Sequence, residues 1–359
     1  MQLLALDGYL AQHAPGLQIG FVKLDAEGDE LRVLAGAQAF FGSQSPIVMF
    51  EFVHGKVVSS PLIAAWQALG YGLFRWSAEL DLLLPFDAAQ DELVFALNLL
   101  AVRPAEQERL AAQGLLVTAM ALAAEPPVAD DWTAPAALQA WCALPAWHGI
   151  PAAAAADGGP LYQRCIEAVA SAHLDRSQRP AQRAMLMAMV RNTLQSAANA
   201  GASFGPAAWL LLVHALYALG AQGASVQLGL QLLQRWPQHV EIDLPCAAPS
   251  LADHARPRST SPGSWLRQML AEHVEVRSAH SSYFRPSDLA RLVHIMDHPD
   301  HSAEIERRCL LTHVRSNCIA PLLGMHLLRA AANICNAPIW QGLMASMQAA
   351  AEEPVAASV

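Results

Sequence analysis

A chain of 359 residues with 54% hydrophobic and 15% charged side chains is more apolar and less charged than an average globular sequence, which excludes disorder over most of its length. A formal charge of −9, with no cluster of basic residues, excludes a general nucleic-acid binder, because phosphate neutralisation needs such a cluster. The length allows two domains, each burying its own core.

The first hundred or so residues alternate between strand and helix signals. The run Ile19-Gly20-Phe21-Val22-Lys23-Leu24-Asp25 ends in acids and Gly28, the pattern of a buried parallel strand followed by a turn. Glu30 then opens a helix whose Leu31, Leu34 and Ala35 share one face. Pro46 precedes a second apolar run, Ile47 to Phe52, and Leu62 to Leu69 reads as a helix ending at Gly70. Strands are predicted at Gly72 to Trp76 and Leu93 to Val102, with Leu82 to Leu84 between them. This alternation argues for an α/β sheet over residues 1–104.

Past Pro104 the texture becomes helical. Glu106 to Ala124 reads as helix, and a Pro/Ala-rich stretch ending at Pro160 reads as a linker with short helical pieces, so that 105–160 joins two domains. Residues 161–351 read as an all-α domain broken at Gly201–Gly205, Gly220–Gly223, His239–Gly263, Pro286, Pro299 and Pro338, with a frayed tail at 352–359. Ala208 to Pro237, a helix, a Leu219-Gly220 turn, a second helix and a closing proline, resembles one tetratricopeptide-like hairpin, without a clean second copy.

The six cysteines, Cys142, Cys165, Cys246, Cys309, Cys318 and Cys335, form no CxxC pair and read as reduced, buried thiols. Met1 is followed by no signal-type segment, and the most apolar stretch, Ala207 to Leu219, is too short to span a bilayer. A soluble, cytoplasmic protein without membrane or nucleic-acid partners is expected.

The chemical signal lies near the start. Leu6-Asp7-Gly8-Tyr9-Leu10, then Phe21-Val22-Lys23-Leu24-Asp25-Ala26-Glu27-Gly28-Asp29-Glu30, then Leu34-Ala35-Gly36-Ala37, Pro46 and Phe50-Glu51 follow one another in order. Together they resemble the LDxxL, LKIDVEGxE, LxGA and PxxxxE pattern of the FkbM family of S-adenosylmethionine-dependent methyltransferases. Asn98-Leu99-Leu100-Ala101 is similar to that family's last strand, and the likeness covers residues 3–104.

The resemblance implies a Rossmann-like sheet and O-methylation of a hydroxyl, often on a sugar or natural product, with S-adenosylmethionine as cofactor. Ligands of such sheets sit beyond the carboxyl ends of the strands. Asp25 and Glu27 fall at one such end and Glu51 at the next, with His54 three residues on. These four are the candidate catalytic residues, since methylating a hydroxyl needs a base or a metal. Lys23, two residues from Asp25 on the same strand face, and Gly28, which permits the tight turn, are the candidate cofactor-binding residues. As structural roles, Lys23 can neutralise Asp25 within the sheet and Glu30 can favour the helix start.

The glycine-rich loop that class I methyltransferases place after their first strand is missing: no G-x-G-x-G occurs, and Gly70-Tyr71-Gly72 lies between a helix and a strand. Only strands four to seven of the expected sheet are therefore represented, and this chain alone is not expected to bind the cofactor. Ile19 to Asp25 would be left with one open edge, which suggests a start placed inside a longer gene. The helical domain would recognise the acceptor, a small molecule or glycan, or a protein partner. The alternative is a non-catalytic remnant carrying a helical interaction module.

A second cluster, His294, Asp297, His298, Asp300 and His301, places two histidines four apart, a spacing zinc ligands use. Pro299 interrupts the helix and no HExxH glutamate is present, so the histidines read as solvated and no metal site is expected.

Overall fold

The computed structural model describes residues 4–54, 57–87, 97–123, 132–147, 149–175, 178–236, 240–247, 260–278, 289–302, 304–305, 308–309, 312 and 345. The predicted tail at 352–359, the break at Pro338, Cys318 and Cys335 lie outside them.

Seven strands are described: β1 (Phe21–Leu24), β2 (Ile47–Glu51), β3 (Val53–His54), β4 (Val57–Val58), β5 (Gly72–Ser77), β6 (Leu82–Pro85) and β7 (Asn98–Val102). Five of them form one sheet in the order β1-β2-β7-β5-β6, and β3 with β4 makes a separate two-stranded ribbon. β1 and β2 are parallel, whereas β7 runs antiparallel to both β2 and β5, and β5 and β6 form a hairpin. The sheet is thus mixed. β2, β5 and β6 begin where the sequence reading placed them and β1 begins two residues later, at Phe21, whereas β7 opens at Asn98, inside the predicted run Leu93 to Val102.

The helices around it are α1 (Leu6–His13), α2 (Glu30–Ala35), α3 (Gln38–Ser43), α4 (Ser60–Ala68) and α5 (Pro104–Ala112). Alternation along the strands explains which face they cover. Val48 and Phe50 of β2 and Leu99 and Ala101 of β7 are buried with Phe40 and Phe41 of α3 and Leu62 and Trp66 of α4. The opposite face is shielded over β5 and β7 by Leu110 and Leu116, which pack on Phe74, Leu83 and Val102. Over β1 it is open: Phe21 is 54% exposed.

Glu106 to Ala124 is not one helix. Gly114 adopts φ +74°, ending α5, and the chain then runs extended beside β6. Leu83 N–H donates to Leu115 O at 2.9 Å and Val117 N–H to Leu83 O at 3.1 Å before α6 (Ala119–Ala123) begins. A left-handed residue closes a helix readily only when it is glycine, and helical periodicity alone carries no sign of it.

The remaining described helices are α7 (Pro135–Cys142), α8 (Gly159–Leu174), α9 (Pro180–Asn199), α10 (Pro206–Ala218), α11 (Gln222–Arg235), α12 (Pro262–Arg277) and α13 (Leu289–Met296). Each packs on the next. Five of them, α7, α8, α9, α10 and α12, carry proline in the first turn, where its missing N–H is no loss. α10 and α11 form the hairpin expected at 208–237, turning at Gly220 with φ +77°. Among the described residues, no helix is long and apolar enough to cross a membrane.

One core unites the two halves. Leu80, Leu82 and Leu84 of the β5–β6 hairpin are buried in the same cluster as Ile166, Met187, Leu211 and Trp265 of the helices. Trp141 and Trp147, from the stretch read as a linker, lie in that cluster too. Polar contacts follow the same path: Ser77 Oγ–H donates to Ala218 O at 2.8 Å, and Arg183 Nη2 donates to Glu79 O at 3.0 Å.

Candidate functional site

The motif residues divide into those that shape the strand ends and those displayed there. Asp7, on α1, accepts from the backbone N–H groups of Ala39 at 2.9 Å and Phe40 at 2.8 Å, so it caps α3 from a distant helix. Gly36 sits where an added Cβ would lie 3.3 Å from the Ala5 Cβ, and its carbonyl accepts from Asp7 N–H at 3.0 Å. Glu30 is 2% exposed, and its Oε1 accepts from Ala26 N–H at 2.9 Å and Gly28 N–H at 3.2 Å. That carboxylate closes the turn from Asp25 to Gly28, in which Glu27 adopts φ 51° and Gly28 φ 104°.

The turn leaves Asp25 and Glu27 facing solvent at the carboxyl end of β1. Lys23 Nζ pairs with Asp25 Oδ2 at 2.7 Å. The Lys23 ammonium is held above its usual pKa by this hydrogen bond and by the charge of Asp25, with a further contribution from Glu51. Glu51 therefore shares the same field. Strand register says why: β1 and β2 pair through Leu24 and Phe50, and Asp25 and Glu51 are the next residue of each. Across β2, Glu51 lies directly opposite Asn98 of β7.

Lys23, Asp25, Glu51 and Asn98 thus gather at one edge of the sheet. Asn98 figured in the sequence only as the start of a strand, because only strand register brings it opposite Glu51. Glu27 makes no hydrogen bond or ion pair among the described residues, and it stands on the turn beyond the strand. The backbone of His54 belongs to β3, in the ribbon with β4 rather than in the main sheet. Gly28 engages its N–H with Glu30 inside the chain.

Chemically, this edge offers carboxylates, one amide and one ammonium. Carboxylates accept hydrogen bonds from a hydroxyl, and the ammonium keeps the local charge from accumulating. Among the described residues, no set of three His, Cys, Asp or Glu side chains has a metal-holding arrangement. Among the described residues, the carboxyl ends of β1 and β2 carry no glycine-rich backbone cradle.

The histidine cluster resolves differently. Asp300 N–H donates to His298 Nδ1 at 3.2 Å, so His298 carries its proton on Nε2 and donates it to Ser264 Oγ at 3.0 Å. Comparison of the chain with protein-family models, with curated proteins and with solved structures found no match.

Proposed function

We propose that residues 3–104 form the acceptor side of an FkbM-type, S-adenosylmethionine-dependent O-methyltransferase site, acting on a hydroxyl of a sugar or natural product. The observation that carries this reading is the placement of Asp25 and Glu51 at the level carboxyl ends of two adjacent parallel strands, with Lys23 between them in charge. Ligand sites of doubly wound sheets occupy that position. The intact motif supports it further, because Asp7, Glu30 and Gly36 each have a structural task that presents this edge. Asp25 and Glu51 accept hydrogen bonds from the acceptor hydroxyl, and one of them takes its proton as the oxygen becomes nucleophilic. Cofactor binding in this reading needs a glycine-rich loop, and residues 1–359 contain no G-x-G-x-G. The tetratricopeptide-like helical stack recognises the acceptor or a partner protein.

A second reading, a non-catalytic remnant with a helical interaction module, is favoured by one observation. The Asp25 side chain is 32% exposed, and Phe21 on the same strand is 54% exposed, whereas a general base usually works in a cleft that excludes water. The two readings separate on transfer of a labelled methyl group from S-adenosylmethionine to hydroxylated acceptors, using a chain extended upstream in its gene. Under the first reading Asp25→Asn and Glu51→Gln each lower kcat by about 10²-fold or more, the usual contribution of a general base. Transfer that is indifferent to both substitutions contradicts it, as does no transfer to any acceptor by a chain that binds the cofactor.

A further inference from the structure

The cluster His294-Asp297-His298, left unused by the strand-end site, lines a cavity of about 260 Å³ between α12 and the end of α13. Ser264, Arg267 and Gln268 line its other wall. A helical spacing of three to four puts Ser264, Arg267 and Gln268 on one face of α12. The turn after α13 brings His298 against that face, where its Nε2–H reaches Ser264 Oγ at 3.0 Å.

Arg267 is the unusual member. It is half-buried, its Nε is shut off from solvent without a hydrogen-bond partner, and its Nη2 makes one long contact, 3.5 Å to Leu233 O. No carboxylate pairs with it among the described residues; Asp297, the acid in the cavity wall, is exposed and forms no ion pair with it. The nearby buried Glu272 is engaged elsewhere, by Gln268 at 2.9 Å and by Ser302 N–H at 2.9 Å. A half-buried guanidinium without a carboxylate partner favours a counter-charge, and its planar fork suits an oxyanion. Ser264 adds a donor. Its oxygen already accepts from His298, so its own proton is left to point at a ligand.

We infer that this cavity is a binding site for a small oxyanion, the phosphate or carboxylate group of a metabolite, held by Arg267 and the Ser264 hydroxyl. The volume suits a compact ligand. Asp297 at the rim disfavours polyanions and fits a ligand whose far end carries hydroxyls or an amine. This site is independent of the strand-end carboxylates and of any methyl-transfer chemistry.

Calorimetric titration of the full chain with inorganic phosphate, and separately with acetate, at matched ionic strength in chloride tests it. Saturable binding of at least one of the two is expected; phosphate alone identifies a phosphorylated ligand and acetate alone a carboxylate. Arg267→Gln lowers the affinity at least tenfold, Arg267→Lys retains part of it, and Ser264→Ala lowers it about threefold, for the loss of one neutral hydrogen bond. Thermal unfolding of each variant shows that it is folded. Absence of saturable binding by the wild-type chain, or affinity unchanged in folded Arg267→Gln, overturns the inference.

Discussion

Glu30 shows how a single side chain sets the candidate site without touching a ligand. Its buried carboxylate accepts two backbone N–H groups of the turn that presents Asp25. Glu30→Ala leaves both donors without that partner, and chemical denaturation is expected to show a loss of about 1–3 kcal/mol. Glu30→Gln keeps an acceptor oxygen and loses less. Equal stability of Glu30→Ala and the wild type would show that water replaces the carboxylate at no cost. The motif made the position conspicuous, but its task was not legible: an acid in the first turn of a helix also fits a simple dipole role.

His273, on α12, supplies a residue-scale prediction about pH. Ser225 Oγ–H donates to Val213 O at 2.9 Å, so His273 Nε2–H donates to Ser225 Oγ at 3.0 Å. Burial, and then the charge of Arg277, pushes its pKa down to about 3. A histidine in the unfolded chain titrates near about 6.5, so the unfolded state binds more protons between these values. Stability therefore falls as pH drops below about 6.5, at up to roughly 1.4 kcal/mol per pH unit from this group. His273→Gln, which keeps a donor to Ser225, is expected to flatten that slope when unfolding is measured between pH 7 and 5. An unchanged slope would remove His273 as its source.

At the scale of elements, β1 is the consequential one. It stands at the end of the strand order, paired with β2 alone among the described residues. Phe21, its first residue, and Leu17, which precedes it in the chain, are 54% and 50% exposed. An open edge with apolar side chains is a template for unwanted pairing. Phe21→Lys is expected to reduce self-association in light scattering while leaving the unfolding midpoint within a few degrees; unaltered association would place the cause elsewhere. The strands of the main sheet were legible as apolar runs, whereas the short ribbon of β3 and β4 was not. The break of Glu106–Ala124 into two helices was not, because Gly114 acts through its positive φ and the strand-like pairing of Leu115 to Val117 depends on distant Leu83.

At the scale of the whole molecule, the β5–β6 hairpin ties the sheet, which keeps its own core, to the interior of the helices. Sequence texture divides the chain near Pro104, yet Leu80, fully buried at the hairpin tip, lies in the helical core. A run such as Leu82-Leu83-Leu84 announces burial without saying in which core, and long-range packing alone decides it. Leu80→Ala is expected to cost about 2–5 kcal/mol, as large-to-small core changes do. Tryptophan fluorescence and far-ultraviolet circular dichroism are expected to report one coincident unfolding transition; two separated transitions would mean the halves unfold independently. The strand-end acids were legible from the motif, whereas the partnership of Glu51 with Asn98 and the meeting of Arg267 with His298 exist only once the chain is folded.

The strand-end carboxylates Asp25 and Glu51 are proposed to belong to a methyltransferase site. Calorimetric titration with S-adenosylmethionine, on this chain and on one extended upstream in its gene, tests it most directly. Saturable binding by the extended chain and none by residues 1–359 is expected. Binding by neither would contradict the methyltransferase reading, and binding by the short chain would contradict the division of the site.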